Sequence, residues 1–334
     1  MTKPNINRRT FARSLLGVAG FTAVASSKVF AQTNTQPIKE TIMTNIVKVG
    51  YIPIVNCSAI FIAQEKGYFQ DNGLDIELIS SIGGQKIMNA LAKGEVDIGF
   101  SNVASTILGF DDGSEFVSIA GGAMQDKTCP VHAIFVRQDS SIQTVADLVN
   151  TKIAVNTNRA IDEVMVPPLL VKYGVEPVGL QFLPIPFAEM IPALKRGEVD
   201  AIVEIEPFVT IGKADPDLRL LSYNYIELQP VTEISSMVAM KPWLEENIEA
   251  VSAFRQAIVR AAKFAKQNPQ ETKEILVRYV PLSQEILDRV VLPGFIPGSL
   301  NPVLLNETIE QMRKANWLKT EFDAKDLIWN PDLN

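Results

Sequence analysis

One short phrase occurs twice in this chain, 103 residues apart, and it restricts the fold more than any other feature. Ala90-Leu91-Ala92-Lys93-Gly94-Glu95-Val96-Asp97 runs into Ile98-Gly99-Phe100. Ala193-Leu194-Lys195-Arg196-Gly197-Glu198-Val199-Asp200 runs into Ala201-Ile202-Val203. Each reads as the last turn of a helix, a Gly where the left-handed conformation is cheap, and then a short buried strand. A basic-led strand start repeats at nearly the same offset, Lys48-Val49-Gly50 against Lys152-Ile153-Ala154. Two copies in register predict two similarly wound α/β lobes. The cleft between such lobes is the natural place for a ligand.

At 334 residues the chain can build two cores, since domains typically run about 100–200 residues. Its 47% hydrophobic and 21% charged composition is that of an ordinary globular protein. The first 31 residues differ: they carry Lys3, Arg8, Arg9, Arg13 and Lys28 and no acid. An apolar stretch over 15–25 follows, and further on Val29-Phe30-Ala31 has small residues, Val29 and Ala31, at the positions a signal peptidase reads. That stretch is too short to cross about 30 Å of hydrocarbon, so residues 1–31 read as a cleaved export signal. Arg8-Arg9-Thr10-Phe11 resembles the twin-arginine type, with Asn7 where Ser or Thr is usual. Cleavage after Ala31, with no Cys there for a lipid anchor, predicts a mature periplasmic chain beginning at Gln32. Losing those five bases takes the net charge from −7 to −12, which disfavours nucleic acid and anionic membrane as partners. Cys57 and Cys129 are expected as unpaired thiols, a disulfide being the alternative in an oxidising compartment.

After a polar lead over 32–44, the pattern predicts strands over 46–52, 75–79, 97–101 and 116–120. Helices over 59–65, 85–93 and from Asn102 fall between them, the signature of a largely parallel sheet. An apolar run over 131–136 is the first candidate crossing between lobes, and 231–240 is the return. Between them come strands over 153–156, 180–183 and 201–204 and helices over 159–173 and 188–196, the first kinked or split by Pro167-Pro168. Helices over 248–266, 269–279, 283–290 and 303–316 are expected to complete the first lobe. The lobes are thus expected at 46–136 plus 238–334 and at 137–237, joined by two hinge strands.

Several phrases in order resemble a known family. Gly50-Tyr51-Ile52-Pro53, Ala63-Gln64-Glu65-Lys66-Gly67-Tyr68-Phe69 and Gly73-Leu74-Asp75-Ile76-Glu77-Leu78 resemble the opening of the periplasmic solute-binding proteins for nitrate, sulfonate and taurine, a family that includes the thiamine-pyrimidine-precursor group. Ala154-Val155-Asn156-Thr157-Asn158, Pro186-Phe187-Ala188-Glu189-Met190 and Glu206-Pro207-Phe208 resemble its second lobe. The resemblance implies a type II periplasmic-binding-protein fold of two doubly wound lobes. It also implies delivery of a small molecule to an ABC permease, with no cofactor. Pro167-Pro168 and the acid in Val203-Glu204-Ile205 depart from the family pattern and bear on ligand identity.

In doubly wound sheets ligands bind beyond the carboxyl ends of the strands, where helix N-termini offer unpaired N–H groups. That rule nominates Asn56, Cys57, Ser58, Gly83, Gly84, Ser101 and Asn102 in the first lobe. In the second it nominates Asn156, Thr157, Asn158, Phe187, Glu204 and Glu206. Each has a plainer role open to it: helix caps for Ser58, Asn102, Thr157 and Asn158, a turn for Gly83-Gly84, a structural acid for Glu206. His132, the only histidine, sits in an apolar run and reads as a buried structural or hinge residue. One His and two scattered Cys make no metal set, and no nucleophile elbow or nucleotide loop occurs.

The expected function is a monomeric binding component that captures a small organic solute. The resemblance leans toward a sulfonate-, taurine- or nitrate-like anion. Glu204 and Glu206 would repel such an anion and favour a nitrogenous heteroaromatic or amine, such as a thiamine pyrimidine precursor. An enzyme on the same fold is the rival class, as is the effector half of a transcription regulator.

Overall fold

The computed structural model describes residues 46–329, so the export signal expected over 1–31 and the lead over 32–44 lie outside the described residues. The strands in chain order are β1 (Val47–Tyr51), β2 (Ile76–Ser80), β3 (Ile98–Asn102), β4 (Phe116–Gly121), β5 (Ala123–Asp126), β6 (His132–Arg137) and β7 (Lys152–Val155). They continue with β8 (Gln181–Pro184), β9 (Ala201–Ile205), β10 (Leu218–Ser222), β11 (Val231–Glu233), β12 (Ser235–Met240) and β13 (Gly294–Phe295). They form two five-stranded sheets, β2-β1-β3-β12-β4 and β10-β6-β9-β7-β8, and a small sheet β11-β5-β13.

The repeated phrase has a structural cause. In the first sheet the Lys48 N–H donates to Asp97 Oδ2 at 2.8 Å, and the Asp97 N–H donates back to Lys48 O at 2.9 Å. In the second sheet the Lys152 N–H donates to Asp200 Oδ2 at 2.8 Å, and the Asp200 N–H to Lys152 O at 2.8 Å. Each Asp therefore clasps the start of one parallel strand to the start of its neighbour, fixing the registers Val49↔Ile98 and Ile153↔Ala201. Gly94 and Gly197 sit just upstream at φ 69° and 72°, the left-handed turn that stops each helix and releases the strand.

Both sheets are mixed. β1, β2 and β3 are parallel, but β12 enters antiparallel between β3 and β4, so the expected largely parallel sheet carries a returning strand. The run over 131–136 is β6, which pairs antiparallel with β9 and β10 as a member of the second sheet. The return run divides, β11 joining the small sheet and β12 the first. The chain thus passes from the first sheet to the second through β5 and returns through β11, and these two strands pair with each other.

The prolines split their helix. It becomes Ile161–Val164 and Val166–Lys172, and Pro167 and Pro168 occupy the first turn of the second piece, where no intrahelical N–H is needed. The segment after β9, which the sequence pattern left unassigned, folds as helix Phe208–Ala214, β10 and helix Asn224–Leu228. The long helix Ile248–Gln267 buries Val251, Phe254, Ala257, Ile258, Ala261, Ala262 and Ala265 along one stripe and packs on helix Ser58–Glu65. Two of the later helices also reach the second body, and Pro302–Lys314 packs on Val103–Asp111 of the first as well. Gln284–Arg289 lies against Phe208–Ala214, and Pro302–Lys314 touches Val166–Lys172, both in the second body.

The clasp predicts a stability effect. Asp97→Ala is expected to lower the free energy of unfolding by about 1–2 kcal/mol, the scale of one partly exposed charge-assisted hydrogen bond, and Asp97→Asn by less. Urea denaturation checks this, and an Asp97→Ala curve that overlays the wild type would contradict it.

Candidate functional site

The carboxyl ends of the parallel strands in the two sheets face each other. The loop after β1 and the end of β3 meet the loops after β7, β8 and β9 around a closed cavity. The first body contributes Ile52, Ile54, Asn56, Gly84, Phe100 and Asn102; the second contributes Asn156, Ala160, Ile161, Asp162, Phe187 and Ile205; His132 and Ile234 come from the crossings. The cavity volume is only about 30 Å3, so the two faces are drawn nearly together around it. A mostly apolar wall with a few converging polar groups is the usual make-up of a small-molecule pocket.

The two faces are in direct contact around it. Asn156 Nδ2 donates to Ile82 O at 3.3 Å, the Ile161 N–H donates to Asn102 Oδ1 at 3.2 Å, and Ser105 Oγ donates to Arg159 O at 3.2 Å. Arg159 also pairs with Asp112 at 2.6 Å. Gly83 is pressed so closely that a Cβ there would lie 2.8 Å from Thr157 Cγ2 and 3.1 Å from Asn156 Oδ1. This is a shut cleft.

Of the residues nominated from sequence, Asn56, Gly84, Asn102, Asn156 and Phe187 line the cavity. Asn56 is buried in the short turn Val55–Cys57, and neither end of its amide has a hydrogen-bond partner. Asn102 is more committed: its Oδ1 caps the Ser105 N–H at 2.9 Å, and its Nδ2 donates to Ser105 Oγ at 3.0 Å. Gly83 and Thr157 meet across the rim. Ser58 and Ser101 are buried but locally satisfied, Ser58 Oγ donating to Val55 O at 2.6 Å and Ser101 Oγ to Asn102 O at 3.0 Å. Cys57 is buried, which pushes its thiol far up and leaves no thiolate nucleophile at neutral pH; both cysteines are free. Asn158 is exposed.

The two glutamates differ. Glu206 is buried, but its carboxylate accepts from the Thr210 N–H at 3.1 Å, Thr210 Oγ1 at 2.8 Å and the Val291 N–H at 3.3 Å. It ties β9 to the helix that follows and to the segment after Arg289, and it does not border the cavity. Glu204 is fully buried one register step from the cavity-lining Ile205, and neither carboxyl oxygen has a partner; the Ile205 N–H lies nearby, outside hydrogen-bond geometry.

The sequence reading missed Asp162 and His132 as polar groups of the wall, and Tyr225 as the buried side chain that joins them. Asp162 Oδ1 accepts from the Tyr225 hydroxyl, the Tyr225 ring stacks on His132 with centroids 4.5 Å apart, and His132 Nδ1 lies 3.3 Å from Gln125 Oε1. Burial pushes the Asp162 carboxyl up to about 7 against the opposing hydrogen bond from Tyr225. Burial also drives Glu204 well above the ordinary range, and the Asp162 charge adds to the rise. His132 is pushed down to about 3 by burial, so its imidazole is neutral. Among the described residues no group of three or more His, Cys, Asp or Glu could hold a metal ion.

Two α/β bodies linked by paired crossings, with a shut cavity at their facing strand ends, make the fold of the periplasmic binding proteins. The periplasmic aliphatic sulphonate binding protein of Escherichia coli matches with a TM-score of 0.68 at 19% identity, over 86% of this chain and 92% of that one. The alkanesulfonate-binding protein of Xanthomonas axonopodis, bound to MOPS, matches with a TM-score of 0.71 at 17% identity, over 85% and 98%. Residues 54–272, well over half of the sequence, match the family described as NMT1/THI5 like, and the chain belongs to that family. A formylaminopyrimidine-binding protein of Halalkalibacterium halodurans is 21% identical over 314 residues, covering 88% of this chain and 92% of that protein.

The buried acids predict a pH dependence. An acid whose folded pKa lies above its unfolded value holds an extra proton in the native state. Its favourable contribution is complete below about pH 4 and is lost as the pH rises through the folded value. Asp162 and Glu206, each raised to about 7, place that loss between about pH 4 and 7. Asp162→Asn, which still accepts from Tyr225, is expected to raise stability at pH 8 and to narrow the difference between pH 5 and pH 8. Urea denaturation at the two pH values tests this; an unchanged difference would contradict it.

Proposed function

We propose that this chain is the exported, non-enzymatic binding component of an ABC importer, and that its cleft captures a small nitrogenous heteroaromatic rich in N–H donors, an aminopyrimidine above all. In this reading residues 1–31 direct export to the periplasm and are cleaved after Ala31. The two sheet bodies act as lobes that open about the crossing strands β5 and β11, and the closed monomer docks on a membrane permease.

The observation that carries the ligand class is the charge of the wall. Its ionisable side chains are an acid, Asp162, and a neutral imidazole, His132, with no lysine or arginine, and a second acid, Glu204, lies buried behind. A sulfonate there would meet acceptors and carboxyl groups, with the Asn56 amide as the unpartnered side-chain donor. An aminopyrimidine offers the complement: exocyclic N–H donors for Asp162 and Asn56 Oδ1, ring nitrogens for Asn56 Nδ2 or a protonated carboxyl, and a flat face for Phe100 and Phe187. The formylaminopyrimidine-binding relative supports the same class. The lean toward an organic anion keeps the helix N-termini at Gly84 and Val103 as its support, to which the wall adds no basic side chain.

Thermal shift and calorimetry test the proposal. Formylaminopyrimidine is expected to raise Tm and bind at one site per chain without turnover, while taurine and nitrate leave Tm unchanged. Asp162→Asn is expected to weaken that binding by about 1.5–3 kcal/mol, the worth of a hydrogen bond to a charged group. Stabilisation by taurine alone would sink the assignment.

A further inference from the structure

We propose that His132 determines specificity in the cleft: Gln125 locks its imidazole as the Nδ1–H tautomer, so that Nε2 faces the ligand as a fixed acceptor for one N–H. This rests on the reading of the cleft as a ligand site and adds a residue and a polarity to it.

The tautomer follows from the partner. Gln125 Oε1 accepts from the Val131 N–H at 3.1 Å, and a main-chain N–H can only donate. That contact identifies the atom as the amide oxygen; turned over, the side chain would set its NH2 against another donor. The same oxygen lies 3.3 Å from His132 Nδ1, so Nδ1 must carry the proton. In a neutral imidazole the other nitrogen then holds a lone pair.

The ring is fixed as well as protonated in one way. Tyr225 stacks on it at 4.5 Å with planes 29° apart, and the Tyr225 hydroxyl is tethered to Asp162. Gln125 and His132 come from β5 and β6, the first crossing strand and the strand that follows it, so the lock spans the point where the chain passes between bodies. His132 borders the cavity and, among the described residues, its Nε2 has no hydrogen-bond partner. A histidine kept only to fill a core would be expected to satisfy both nitrogens.

The consequence is selectivity by a single hydrogen. A ligand with an amine or ring N–H at this place gains a hydrogen bond. An isostere carrying a carbonyl or ether oxygen there sets two lone pairs together and is rejected, as polar sites reject mismatched analogues.

The chain contains one histidine, so untagged protein labelled with 15N-histidine gives a single imidazole spectrum. Without ligand the expected spectrum is one neutral ring protonated at Nδ1 and invariant from pH 5 to 8, and Gln125→Leu is expected to mix the tautomers. Adding formylaminopyrimidine should move the Nε2 resonance toward a hydrogen-bonded acceptor and leave Nδ1 in place. His132→Leu should weaken that ligand about 10–100-fold, and His132→Gln, which keeps an acceptor near Nε2, less. An Nε2–H ring, or an Nε2 resonance unmoved at calorimetric saturation, overturns the His132 proposal alone. No aminopyrimidine binding beside an intact Nδ1–H spectrum sinks the reading of the cleft and the Nε2 contact with it, while the lock stands.

Discussion

The architecture depends on one interaction used twice, the reciprocal pair between an aspartate at the start of one strand and the main chain at the start of its neighbour. Asp97 with Lys48, and Asp200 with Lys152, hold the parallel strands by their beginnings. Strands fixed at that end deliver their other ends to a common level, and the loops that leave there are free to carry polar groups. Each sheet repeats the device, and the two sets of carboxyl ends are brought face to face by two crossings. A cavity at that junction follows from the topology.

The surroundings of the cavity are costly by the standards of a protein interior. Asn56 and Glu204 are buried without partners, and each such group carries a desolvation penalty of about 1–3 kcal/mol, more when charged. The apolar cluster that runs from the first sheet through Ile52 and Ile54 to Phe187 and Ile205 supplies the compensating burial and holds the bodies shut. Unsatisfied polar groups and strongly shifted acids gathered at one cleft mark a place shaped for something other than stability.

The sequence made the duplicated plan legible because its signals are local: a glycine that must turn left, an aspartate just before a strand, a basic strand start. Asn56, Gly84, Asn156 and Phe187 were found on topological grounds, since they follow strands whose ends had to face the cleft. Asp162 was not, because an acid in the first turn of a helix looks like ordinary dipole compensation. Only the fold brings Tyr225, 63 residues on, against it. His132 in an apolar strand looked like core for the same reason: its partners on β5 and at Tyr225 are contacts of tertiary structure. Glu206 went the other way. Its carboxylate is consumed by Thr210, four residues along, and by Val291, a distant amide invisible in the local pattern.

In the proposed reading the cleft accepts N–H groups and repels anions. Native mass spectrometry of protein purified without refolding from its own cells reads the occupant directly. The account predicts one bound molecule per chain, nitrogen-rich and of pyrimidine size, which is lost in Asp162→Asn. A bound sulfonate, retained in that variant, would contradict it.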